Sequence, residues 1–157
     1  MKRGLPSKGC STGEDTMADL RHQIDIKASP QQVYAALATT TGLASWWTAD
    51  AHAEEKIGGK AEFGFNRRGV VYRMRIVVLD PARQVVWSCL GDHPEWRDTS
   101  LTWTIAPDGA GSVLRFTHGG WKAESDFFAM CNSTWGELMH RLKGYLEGTA
   151  PGPRWRQ

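Results

Sequence analysis

The stretch Ser133-Thr134-Trp135-Gly136-Glu137-Leu138-Met139-His140-Arg141-Leu142-Lys143-Gly144-Tyr145-Leu146-Glu147 decides the fold. Phe128, Cys131, Trp135, Leu138, Leu142 and Tyr145 recur at steps of three and four, and Met139 and Leu146 widen the stripe. A period near 3.6 places these residues on one helical face, which is stable only when buried. Ser125 is positioned as an N-cap and Gly148 as the C′ glycine that ends the helix. Upstream, residues 60–121 alternate apolar and polar side chains at period two, the mark of half-buried strands. A strand-rich meander closed by one long helix is expected to wrap a sheet around that helix, an arrangement that commonly encloses a cavity.

Working back from the helix, tight turns separate the strands. Residues 112–118 put Leu114, Phe116 and His118 on one face, and residues 99–106 do the same with Leu101, Trp103 and Ile105. Pro107-Asp108-Gly109 is expected to turn the chain between them, and Gly119-Gly120 to end the sheet. Residues 84–90 carry Trp87. Residues 70–79 place Tyr72, Met74, Ile76 and Val78 opposite Arg73 and Arg75, and residues 60–66 alternate around Phe63 and Phe65. Asp80-Pro81 and Gly58-Gly59 supply turns, since Pro presets φ and paired glycines accept positive φ. Residues 91–97 read as a polar loop.

A first strand alternates over residues 20–28, and a short strand is expected near 51–55. Between them Ser29-Pro30-Gln31-Gln32 opens a helix, with Ser29 as N-cap, Pro30 at the first helical position and Gln32 completing a capping box. A second helical turn over residues 43–47 ends in Trp46-Trp47. Two short helices, a run of antiparallel hairpins and a long C-terminal helix make an α+β chain. Polar, aperiodic residues 1–19 are expected to be a disordered or non-native extension, residues 20–148 the domain, and residues 149–157 a polar tail.

Composition narrows the function classes. The chain has 157 residues, 41% hydrophobic and 23% charged, which fits one soluble globular domain. Its net charge of +2 comes from scattered basic residues, so no nucleic-acid partner is expected. No apolar run approaches the roughly 18 residues of a membrane span, and Lys2 and Arg3 precede no signal-like apolar segment. A cytoplasmic location is the expectation. Cys10, Cys89 and Cys131 lack metal-ligand spacing; Cys89 and Cys131 read as small buried side chains. The eight tryptophans are the unusual number, against about two from average usage. Indole supplies broad apolar area and one N–H donor. The excess therefore either fills a core or lines a pocket for a flat, apolar ligand.

The order of elements, the Ser29-Pro30-Gln31-Gln32-Val33-Tyr34-Ala35-Ala36-Leu37 opening and the Trp46-Trp47 pair resemble the SRPBCC superfamily. The Gly58-Gly59-Lys60-Ala61-Glu62-Phe63 turn, Leu79-Asp80-Pro81, Thr102-Trp103-Thr104-Ile105 and Trp135-Gly136-Glu137-Leu138 are similar to its branch named after the activator of heat shock protein 90 ATPase, the AHSA-like proteins. The resemblance implies a START-like (Bet v-like) helix-grip fold: an antiparallel curved sheet, two short helices and one long C-terminal helix. It also implies a choice of functions, since the superfamily includes lipid and hydrophobic-ligand carriers, polyketide cyclases and co-chaperone domains. Fold alone does not select among them.

Candidate chemistry is sparse. His52 with Glu54 and Glu55 forms no complete metal-ligand set. No nucleophile elbow and no Gly-rich phosphate loop occur in the sequence, so neither metal nor cofactor is expected. His118 is the one catalytic candidate, either a hydrogen-bonded buried histidine or an acid–base group with Asp126 or Asn132 as partner. The gripped cavity is expected to be walled by Trp46, Trp47, Phe63, Phe65, Tyr72, Met74, Trp87, Trp103, Phe116, His118, Phe128, Trp135, Leu138 and Met139. The expected function is binding of a hydrophobic or aromatic small molecule without a chemical step. A polyketide cyclase-like enzyme using His118 and a co-chaperone-type module with a protein partner are the alternatives.

Overall fold

Hairpin connections leave each strand beside its predecessor, and here they do so from the second strand to the seventh. In the computed structural model, which describes residues 18–156, β2 (Ala51–Ala53), β3 (Lys60–Phe65), β4 (Val70–Asp80), β5 (Gln84–Cys89), β6 (Ser100–Asp108) and β7 (Gly111–Trp121) pair antiparallel in chain order. The first strand, β1 (Ala18–Ile26), returns to pair with β7, giving the order β1-β7-β6-β5-β4-β3-β2. A register shift between Ile76 and Val78 in β4 marks a bulge, which bends a strand and increases its twist. Alternation survives along β6 and β7, where Leu101, Trp103, Leu114 and Phe116 are buried.

The helices start where their caps are. In α1 (Pro30–Ala38), Ser29 Oγ accepts from Gln32 N at 3.2 Å while Gln32 Oε1 accepts from Ser29 N at 3.0 Å. Both amides would otherwise be orphaned at the helix start. Thr39 ends α1 and caps α2 (Thr40–Trp46), its Oγ1 accepting from Gly42 N at 3.0 Å. The second helix therefore begins three residues before the apolar pattern alone places it. The two helices meet at Gly42, where an added Cβ would lie 2.6 Å from Ala35 O. Trp46 Nε1 donates across the same junction to Ala36 O at 2.9 Å.

The long helix, α3 (Asp126–Leu146), starts at Ser125, whose Oγ accepts from Phe128 N at 3.2 Å. Asp126 in its first turn and Lys143 in its last complement the helix dipole. Cys131, Trp135, Leu138, Met139 and Leu142 are its buried stripe, while Tyr145 and Leu146 pack at the core's edge. No helix among the described residues is long and apolar enough to cross a membrane.

Other segments differ from expectation as well. Gly119-Gly120 does not end the sheet, because Gly120 takes φ +90°, donates its N–H to Asp19 Oδ1 at 3.2 Å and lets β7 continue to Trp121. Strand β1 accordingly begins at Ala18, with Ala18 opposite Trp121; the rest of the expected extension, residues 1–17, lies outside the described residues. Segment 91–97 holds a single 3-10 turn, Pro94–Trp96, that buries Trp96. Residues 149–156 lie against the domain, with Trp155 packed at the core's edge.

Candidate ligand cavity

Filling the space between a curved sheet and a helix with indoles leaves a middle and an end. In the middle, Trp103 and Phe116 meet at a tilt with centroids 4.2 Å apart, and Trp47 stacks on Phe63 at 4.1 Å. Trp46, Met74, Trp87 and Met139 close the remaining volume, each 2% exposed or less. At one end the packing opens into a cavity of about 280 Å³.

Five parts of the chain build that cavity. Cys131, Thr134, Trp135 and Leu138 come from α3 at the three–four spacing of one stripe, and Trp47 comes from the end of α2. The β3–β4 hairpin gives Phe65, Asn66, Val70 and Tyr72, and the 3-10 turn gives Trp96. Trp155 completes the wall from beyond α3. Tyr72 stacks on Trp96 at 4.5 Å, Trp96 lies parallel to Trp135 at 6.2 Å, and Trp155 meets Phe65 edge-on at 4.9 Å. Phe127 and Met130 stand at the rim.

Of the residues nominated from sequence, Trp47, Phe65, Tyr72, Trp135 and Leu138 line this space. Trp46, Phe63, Met74, Trp87, Trp103, Phe116 and Met139 are in the packed core instead, and Phe128 sits edge-on to Trp121 at 5.1 Å, away from the cavity. Sequence reasoning misses Trp96 and Trp155, one in a polar loop and one in a polar tail. Cys131 and Thr134 carry a signal, since they precede Trp135 and Leu138 on the same stripe.

The polar groups of the cavity are few and specific. Burial pushes the Cys131 thiol up to about 11, so it stays protonated at neutral pH and is not a reactive thiolate. Burial also raises the Tyr72 hydroxyl above its ordinary value. Trp96 is 6% exposed, and its Nε1–H has no nitrogen or oxygen acceptor; only the weakly accepting Cys131 sulfur stands beside it.

His118 lies directly behind the wall, edge-on to Trp96 at 4.8 Å, and is fully buried. Trp135 Nε1 can only donate, so His118 Nδ1, 3.1 Å away, must accept and carry no proton. Its Nε2–H then donates to Thr99 Oγ1 at 2.9 Å, and the Thr99 hydroxyl donates to Trp96 O at 2.7 Å. Burial without a charged partner drops the His118 pKa to about 3. Both ring nitrogens are thus engaged in holding Trp135 and the Trp96 turn in place, and neither is free for acid–base work. The partners expected from sequence are not the ones used: Asn132 stands by His22, and Asp126 is exposed at the start of α3. His52 pairs with Asp50 at 2.9 Å on the exposed side of β2.

A long helix gripped by a seven-stranded antiparallel sheet, with an aromatic cavity at one end of the grip, defines a START-like protein of the SRPBCC class. Residues 27–147 match the family described as activator of Hsp90 ATPase homolog 1-like protein. The chain belongs to that family. It is similar to the Aha1 dimer of Colwellia psychrerythraea, with 33% identity over 83% of this chain and 97% of that one and a TM-score of 0.77. Likeness of fold alone extends to a Mesorhizobium loti protein (16% identity, 84% of this chain and 98% of that one, TM-score 0.74). The same holds for CalU16 of Micromonospora echinospora (16% identity, 88% and 69%, TM-score 0.67). No curated protein matches the chain.

Proposed function

We propose that the protein binds a small, flat, largely apolar molecule and holds it without a chemical step. The observation that carries this reading is the space of about 280 Å³ faced by Trp47, Trp96, Trp135 and Trp155. Ligand sites run from roughly 300 to 1,000 Å³, so this volume suits one or two fused rings and not a long acyl chain. The engaged nitrogens of His118 favour binding over cyclase-like catalysis.

A thermal-shift series with naphthols, quinolines and flavone-like compounds tests the reading. A ligand at a hundredfold excess over its Kd stabilises the fold by about 2.7 kcal/mol. Thr134→Phe, which fills the cavity from α3, is expected to abolish the shift. An unchanged melting temperature with every compound, or an equal shift in Thr134→Phe, counts against the cavity as the site.

A second reading, docking of a protein partner at the rim, is supported by Met130 and Val70, 57% and 39% exposed beside the cavity. The Colwellia relative is itself a dimer. Light scattering on the protein and on Met130→Lys checks this: a dimer dispersed by the substitution supports the rim as an interface, and a monomer in both rules out self-association there.

A further inference from the structure

The family match ends at residue 147, yet Trp155, beyond that end, supplies a wall of the cavity. Gly148 at φ +88° ends α3, and Ala150 and Gly152 at φ +45° and +77° redirect the chain back over the helix. Glycine adopts such angles freely; alanine does so only under strain. The returning segment packs tightly on Gly144, where an added Cβ would lie 2.6 Å from Thr149 Oγ1 and 3.3 Å from Pro151.

Its attachments are specific but few. Arg141 Nη1 donates to Gly152 O at 2.9 Å, and Arg154 Nε pairs with Glu137 Oε1 at 2.9 Å. Arg154 N and Trp155 N both donate to Trp47 O, at 2.8 and 3.2 Å, and Ala49 N donates to Trp155 O at 2.8 Å. The result is a lone parallel bridge between Thr48 and Trp155. It places the Trp155 ring against Phe65 and over the cavity, with the Arg154 guanidinium 4.9 Å from the ring centre on its other side. A chain-terminal segment held by one bridge, one half-exposed ion pair, two hydrogen bonds to α3 and one half-buried ring belongs to the less stable part of a fold, where local opening is more frequent.

We propose that residues 149–156 are a hinged strap and that Trp155 is its gate, swinging out to admit the ligand and setting the size the cavity accepts. The proposal rests on the ligand-binding reading above. Trp155 holds the position of a fourth indole wall, yet it is carried by a segment that belongs to neither sheet nor helix. Gly148, Thr149 and Ala150 are the hinge.

Stopped-flow uptake of N-phenyl-1-naphthylamine, a neutral dye that brightens in apolar surroundings, tests the gate, with pyrene, rigid and wider across its four fused rings, as competitor. An open form populated at about 10% or less limits entry, so Trp155→Ala is expected to speed dye association by about tenfold or more. It is also expected to let pyrene compete where the unaltered protein excludes it. Glu137→Ala loosens the strap without touching the wall and is expected to speed uptake roughly two- to fivefold, the range of an exposed ion pair, with pyrene still excluded. This variant carries the test alone if Trp155→Ala fails to fold. Wild-type rates and size preference in both variants, with uptake still abolished by Thr134→Phe, overturn the strap and leave the cavity reading standing. If no form takes up dye, both fall.

Discussion

His118 joins the two sides of the grip at the scale of a single residue. Through it, Trp135 on the helix is linked to Thr99 and the Trp96 turn beside the sheet, and the linkage requires a neutral ring. Its folded pKa of about 3 lies below the unfolded value of 6.5. The unfolded chain therefore binds the proton more readily, and stability is lost as pH falls from 6.5 toward 3. The loss already amounts to about 2 kcal/mol at pH 5, before most carboxylates titrate. His22, also lowered by burial, acts in the same direction. Urea unfolding at pH 7 and pH 5 checks this: His118→Gln, which can still accept from Trp135 and donate to Thr99, is expected to flatten the pH dependence. An unchanged slope in that variant contradicts a neutral, buried His118. The inward face of His118 is legible in the Leu114, Phe116, His118 alternation. Its partners are not, because the register of α3 against the sheet is set by packing and not by spacing along either element.

Among the elements, the α1–α2 corner is the most sharply specified. Gly42 has no space for a methyl group against the backbone of Ala35 and Ala36. Gly42→Ala is expected to push the helices apart and cost about 2–3 kcal/mol, the range of an overpacked core site. Ser29→Ala removes one half of the capping box and is expected to cost about 1 kcal/mol. Denaturant midpoints of the two variants check the order; equal or inverted costs contradict the close contact. The α1 cap, the β6 and β7 alternation, that of β4 as far as Ile76 and the α3 stripe can be read from sequence because each is a local pattern; beyond Ile76 the bulge turns Leu79, not Val78, to the core. The Trp96 turn and residues 149–156 cannot. Both have polar composition, and each is folded inward by one tryptophan whose partners lie far away in the chain.

Across the whole molecule, the eight tryptophans divide by place and not by type. Trp46, Trp87 and Trp103 fill the middle of the grip and Trp121 packs at its edge, while Trp47, Trp96, Trp135 and Trp155 surround space. Composition announces the excess but not this division, which depends on how Phe63, Phe116 and Met139 consume volume between sheet and helix. Indole N–H signals report each tryptophan separately in an NMR spectrum of ¹⁵N-labelled protein. During a titration with a two-ring aromatic ligand, the largest shifts are expected at Trp96, Trp135, Trp47 and Trp155. Trp87, Trp103 and Trp121 are expected to hold nearly still. Indole signals that stay fixed at saturating ligand, or that move most at Trp87 and Trp103, would contradict a binding cavity at the end of the grip.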